Sequence, residues 1–171
     1  MTKQPIRNWP DRHKHLSFWW STALGVGLLK PAPGTWGSLT AVIVGYFMIS
    51  GGLNLISLLA AISLITLLSI WAINDIETKS GIHDAGEIVI DEVAGQWLAL
   101  IPFYFITGSF LGYAAAFLLF RLFDIWKPWP IGLLDKHVNG GFGVMVDDLV
   151  AGLFAAIVLW GLLTLEILPT L

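Results

Sequence analysis

The sequence predicts an all-α integral membrane protein, a bundle of about five transmembrane helices plus a short N-terminal interfacial or re-entrant helix. Three observations carry this. Apolar residues make up 56% of the 171-residue chain and charged residues only 12%, well below the ~25% usual in a soluble domain, and mean hydropathy is +0.77. Apolar runs of helical length recur along the chain. The lysines sort onto one set of connections. The length suits one domain, with 1–15 as a polar basic tail and 16–171 as a single membrane-embedded domain. The absence of cysteine excludes disulfides, thiolate zinc sites and cysteine nucleophiles. A net charge of −3 with no long basic patch points away from a nucleic-acid partner.

The tail carries Lys3, Arg7, Arg12 and Lys14 without a following small-residue cleavage site, so it reads as a solvated juxtamembrane segment and not a secretory signal. Residues 16–29 form an apolar run too short to span, ended by Lys30-Pro31-Ala32-Pro33-Gly34. A segment at 38–50, the weakest of the crossings, leads to Gly51-Gly52, and 53–73 is a full span. The run 93–106 looks short, but Asp84-x-x-Glu87 resembles a helix-start capping box. A helix beginning near Ala85 would reach Ile106 and cover about 33 Å. Spans at 110–126 and 148–168 follow, separated by a polar, glycine-rich loop at 127–146. Gly51-Gly52 and Thr107-Gly108-Ser109 are uncharged, whereas Lys30, Lys79, Lys127 and Lys136 fall on the other connections. The positive-inside rule therefore puts the N-terminus, 74–92 and 127–146 in the cytoplasm and the C-terminus outside.

Nearly every charge lies at that one face. Asp91 and Glu92 sit about two turns inside the expected helix, Asp124 closes the next span, and Asp147 and Asp148 open the last. Five carboxylates converging from three helices would repel one another unless a cation held them. Oxygen ligands without cysteine suit a hard divalent ion such as Mg²⁺, which binds through one or two carboxylates plus substrate phosphate. Plainer readings stand beside this one. Asp147 could be a helix N-cap, Glu92 a solvated first-turn residue, and Asp124 an ion-pair partner of Arg121 three residues earlier. Asp84, Glu87 and Asp91 would share one helix face.

The segment Lys30-Pro31-Ala32-Pro33-Gly34-Thr35-Trp36-Gly37-Ser38 offers a cation, close backbone approach and, at Thr35 or Ser38, a helix cap. Free N–H groups at such a helix start make an anion site, or the segment is a proline turn; it is not a Walker loop. Trp126 and Trp129 read as interfacial belt residues, while Arg121 and Lys127 are placed to neutralise phosphate. Lys136, Gly140, Gly141 and Gly143 could fold over a headgroup, or serve only as a flexible loop. His83 and His137 read as structural or solvated before catalytic, since neither has a serine partner in a triad arrangement.

Four blocks, at 30–39 (KPAPGTWGSL), 82–95 (IHDAGEIVIDEVAG), 120–131 (FRLFDIWKPWPI) and 140–152 (GGFGVMVDDLVAG), together resemble the phosphatidylglycerophosphatase A family, in its order and approximate spacing. The resemblance implies a bacterial inner-membrane enzyme with its site facing the cytoplasm. Such an enzyme hydrolyses phosphatidylglycerophosphate to phosphatidylglycerol and inorganic phosphate with Mg²⁺. It maps the acidic motif residues onto Asp84, Asp91, Glu92, Asp124, Asp147 and Asp148, and the basic ones onto Arg121 and Lys127. Turn residues map onto Pro33, Gly34, Thr35, Gly37 and Ser38. No charged motif position departs from the family.

The expected mechanism has Asp91, Asp124 and Asp148, helped by Glu92, Asp147 and Asp84, holding one or two Mg²⁺ that activate water. Lys127 stabilises the transferring phosphoryl group, and Lys30, Thr35, Ser38, Arg121, Lys136 and His83 contact substrate. An aspartyl-phosphate intermediate is the competing route, although the Asp-x-Asp-x-Thr/Val pattern that some such enzymes use is missing. A cation transporter is the rival from another class, since buried carboxylates also mark ion paths. Transporter sites sit near the bilayer midplane, however, whereas these acids lie at one face.

Overall fold

Seven helices make up the computed structural model, which describes residues 5–82 and 85–170. They are α1 (Leu16–Ser21), α2 (Pro33–Ser50), α3 (Leu55–Ser80), α4 (Ile90–Ala99), α5 (Phe110–Trp126), α6 (Ile131–His137) and α7 (Gly140–Thr164). Among the described residues there is no strand, only an isolated bridge between Gly108 and Thr170.

Local chemistry explains where these helices begin and end. Pro33 opens α2, where its missing N–H costs nothing. The Asn54 side chain caps α3 by accepting from Ser57 N at 2.9 Å, and Gly81, at φ 68°, ends it in the left-handed conformation that glycine tolerates. Ser109 caps α5 by accepting from Gly112 N at 3.2 Å. Lys127 stops α5 at φ 46° and Pro128 follows. The start of α7 is capped from another helix: Asn74 of α3 accepts from Gly141 N at 2.7 Å.

Packing centres on α4. A Cβ at Gly95 would stand 2.5 Å from the Asp148 carbonyl, and one at Gly152 would overlap the Gly95 carbonyl. The α4 and α7 backbones therefore touch, as small residues allow in membrane bundles. The outer surface is apolar, with Phe47, Leu67, Trp71, Phe110 and Ile157 all exposed, which suits lipid and not water. By length and composition α3 and α7 can each cross a membrane.

The structure corrects several expectations. The helix expected from near Ala85 begins only at Ile90 and stops at Ala99, followed by a 3-10 turn over Ile101–Tyr104, so it is about 15 Å long and not 33 Å. The residues before it are held elsewhere, with Val89 N donating to Ser21 O at 2.9 Å, and Pro102 cannot donate to continue it. Glu87 is thus not on a shared helical face with Asp91, and it pairs with Arg7. The segment 127–146 is not an open loop but holds α6 and the first two turns of α7. Asp147 is therefore inside a helix and not its N-cap. Neither Thr35 nor Ser38 caps α2; both lie within it, and Ser38 Oγ donates to Gly34 O at 2.8 Å. Residues 16–29 do stop short of a span. Here α1 lies against the second half of α3, with Ser17 donating to Asp75 at 2.7 Å and Trp20 Nε1 to Ser69 at 3.0 Å. Nor is the tail wholly solvated, because Ile6 and Trp9 are buried.

Overpacking the α4–α7 contact is expected to cost about 1–3 kcal/mol. Gly95→Ala and Gly152→Ala should lower the melting temperature in detergent. Gly161→Ala, where a Cβ meets nothing within 4 Å, should leave it unchanged or raised.

Candidate functional site

At one end of the bundle the N-termini of α2, α4 and α7 meet the C-terminus of α5 around a cavity of about 670 Å³. No side chain of their own N-cap residues bonds the first turn of α2, α4 or α7. Three helices therefore point the positive ends of their dipoles into one space, an arrangement that attracts anions. Gly34 brings α2 in closely: a Cβ there would overlap the Glu92 carboxylate and lie 3.1 Å from Arg121 Nη1.

Carboxylates dominate the wall. Glu77, Asp91, Glu92, Asp124, Asp135, Asp147 and Asp148 face it, against Arg121 and Lys127. The two cations are both engaged. Arg121 Nη1 pairs with Asp124 at 2.5 Å and Glu92 at 3.6 Å, and donates to Ser38 Oγ at 3.3 Å. Lys127 Nζ bridges Asp135 at 2.6 Å and Asp147 at 2.5 Å. Burial pulls the Lys127 ammonium down, but those two carboxylates outweigh it and hold its pKa above the ordinary lysine value, so it stays charged at neutral pH.

What remains is a group without enough counter-charge. Asp91, Glu92 and Asp148 each offer an oxygen, and the three oxygens lie within 4.8 Å of one another. Asp91 Oδ1, Glu92 Oε2 and Asp148 Oδ2 are buried and accept no hydrogen bond, as is Asp147 Oδ1. Such orphaned acceptors are costly in a low-dielectric interior. An all-oxygen donor set around a polar cavity fits a hard divalent cation.

The expected residues thus divide. Asp91, Glu92 and Asp148 come together; Asp124 and Asp147 line the same cavity but face Arg121 and Lys127. Arg121 is occupied by carboxylates, in line with the ion-pair reading of Asp124. Ser38 is buried beneath Arg121. Lys30 and Lys136 are exposed and Thr35 is half-buried, and none of the three is in the cavity wall. His137 is exposed, with Nδ1 2.9 Å from Leu133 O. His83 and Asp84 lie outside the described residues. Sequence reasoning passed over Glu77 and Asn139 in the wall, and Gln96, fully buried one turn beyond Glu92 with both amide atoms unpartnered. An i,i+4 spacing from Glu92 was the one available hint at Gln96.

The phosphatidylglycerophosphatase A family model matches residues 19–163. The chain is similar to phosphatidylglycerophosphatase A of Escherichia coli, 37% identical over 140 residues that cover 82% of this chain and 79% of that protein. It is 38% identical over 143 residues to phosphatidylglycerophosphatase A of Haemophilus influenzae, covering 83% and 85%. A putative phosphatidylinositol-3-phosphatase of Bacteroides thetaiotaomicron is 36% identical over 141 residues, covering 81% and 87%. No solved structure matches the chain.

Arg121→Leu would leave Asp124 and Glu92 without their cationic partner, a loss of about 3 kcal/mol. Denaturant unfolding in detergent should show it, and Arg121→Lys should recover only part, lacking the planar fork.

Proposed function

Since the chain belongs to the phosphatidylglycerophosphatase A family of lipid phosphatases, we propose that it hydrolyses phosphatidylglycerophosphate with Mg²⁺ at the cytoplasmic face of the bacterial inner membrane. One observation carries the reading: the oxygens of Asp91, Glu92 and Asp148, from the first turn of α4 and from inside α7, meet within 4.8 Å in an anion-attracting cavity.

Asp91, Glu92 and Asp148 would hold the ion. Bound Mg²⁺ supplies positive charge against the phosphoryl oxygens and lowers the pKa of an attacking water. In the overall reaction, water oxygen bonds to phosphorus, the bond from phosphorus to the glycerol oxygen breaks, and that oxygen leaves with a proton as the alcohol of phosphatidylglycerol. The chain's own part is positioning and charge. Free N–H groups in the first turn of α2, which Gly34 brings against the site, orient the phosphate. Lys127, charged and already at the wall, neutralises oxygen charge as phosphate arrives. Arg121 ties Asp124 and Glu92 in place.

The membrane arrangement follows from charge and direction. Lys30, Lys79, Lys127 and Lys136 lie at or beside the helix ends that meet around the cavity, the end that the positive-inside rule assigns to the cytoplasm. There α2, α5 and α4 with its 3-10 extension complete the passes made by α3 and α7. Acyl chains then stay in the bilayer against the apolar outer surface, with only the phosphorylated glycerol entering the cavity.

Purified protein in detergent is expected to release phosphate from phosphatidylglycerophosphate with Mg²⁺ and to stop with EDTA. Asp148→Asn should lower turnover by more than about 100-fold, beyond the 10–100-fold usual for residues that merely support ligands. Hydrolysis of phosphatidylinositol 3-phosphate instead would move the substrate assignment. Near-normal turnover in Asp148→Asn would remove that residue from the site.

A further inference from the structure

The cavity wall near α4 is fastened by a part of the chain that lies before the family match. Glu87 belongs to the stretch between α3 and α4, and its neighbours Ala85, Gly86 and Ile88 line the cavity. Its own side chain is 5% exposed and turned to the N-terminal segment. There the Ile6 N–H donates to Glu87 Oε2 at 3.0 Å, and Arg7 donates through Nε and Nη2 to Glu87 Oε1, each at 3.2 Å. Both carboxylate oxygens are thus taken up by residues 6 and 7, which precede the matched region beginning at residue 19. Ile6 is fully buried and Trp9 nearly so, with Trp9 stacked on His15 at 4.5 Å. This apolar anchor sets the Arg7 fork in place.

Among the described residues the 85–89 stretch is also held by Val89 N on Ser21 O at 2.9 Å, by Gly27, whose missing Cβ lets the Glu87 carbonyl approach, and by the burial of Ala85, Ile88 and Val89; the Glu87 carboxylate is the charged contact among these. Asp91, Glu92 and Asp148 are held differently, within α4 and α7.

We propose that Ile6 and Arg7, acting through Glu87, are positioning residues that fix the 85–88 wall against the substrate headgroup. The N-terminal segment thereby becomes part of the binding site for the phosphorylated glycerol. This rests on the hydrolase reading. Arg7 donates twice to one Glu87 oxygen and the Ile6 N–H takes the other, so charge-assisted bonds hold the carboxylate from two sides. Their loss acts on substrate binding while Asp91, Glu92 and Asp148 stay within their helices.

The test uses the full chain in detergent, comparing wild type with Arg7→Ala, Arg7→Lys and Glu87→Gln. Kinetics on phosphatidylglycerophosphate, Mg²⁺ affinity, and amide hydrogen exchange at 85–89 are the readouts. Arg7→Ala and Glu87→Gln are expected to raise KM about tenfold, the scale of one lost charge-assisted hydrogen bond, with kcat within about twofold and Mg²⁺ affinity unchanged. Arg7→Lys should recover part of the KM. Exchange at 85–89 should quicken in Arg7→Ala. Unchanged KM and unchanged exchange would overturn the proposal, as would a parallel loss of kcat, Mg²⁺ affinity and melting temperature, which marks a global structural role. If the wild type releases no phosphate, the hydrolase reading fails. The exchange data then decide whether the clasp exists: quickened exchange keeps the fastening, and unchanged exchange removes it.

Discussion

The backbone contact between α4 and α7 sets where the chemistry can happen. Gly95 and Gly152 let the two helices meet without intervening side chains, and this brings Asp148, inside α7, beside the first turn of α4 with Asp91 and Glu92. A side chain at either glycine would separate those acids, because the distance between helix axes follows the residues at the contact. The arrangement is unfavourable by itself. Three carboxylates with buried, unpartnered oxygens in a medium of low dielectric repel strongly, and only a cation or protonation relieves them.

The rest of the site divides the remaining charge. Arg121 takes Asp124 and Glu92 from α5, while Lys127, at the turn after α5, takes Asp135 of α6 and Asp147 of α7. Each cation thereby ties two elements together, and α6 is fastened to α7 through Lys127. The cluster Asp91, Glu92 and Asp148 is left as the place with least compensation. The three helix N-termini around it favour an anion above the cation. A divalent ion beneath a phosphate would satisfy both demands, which supports the proposed phosphomonoester over a simple ion path.

Much of this was legible in the residues. Acids on several helices at one face, the asymmetry of the lysines and the bounds of α5 could be read directly, because they depend on composition and on local periodicity. The start of α4 could not. The pattern Asp84-x-x-Glu87 is a fair capping box, but Glu87 has a tertiary partner 80 residues away in Arg7, and no local rule weighs that. The start of α7 was hidden for a similar reason: its cap comes from Asn74 of α3, so the glycines at 140, 141 and 143 looked like a loop. Arg121 was expected to meet phosphate because its charge is visible in sequence, whereas the carboxylates that occupy it become visible only once α2, α4 and α5 are packed. Gln96 carried no motif at all.

The most direct measurement is the melting temperature of the detergent-solubilised protein as Mg²⁺ is raised. A ligand bound only by the folded state adds about 2.7 kcal/mol at a hundredfold excess over Kd, so the wild type is predicted to melt higher with each increment of Mg²⁺. Asp148→Asn, relieved of one repelling charge, is predicted to melt at or above the metal-free wild type and to gain nothing from Mg²⁺. A wild type whose melting ignores Mg²⁺, or an Asp148→Asn variant that gains as much as the wild type, would contradict the account.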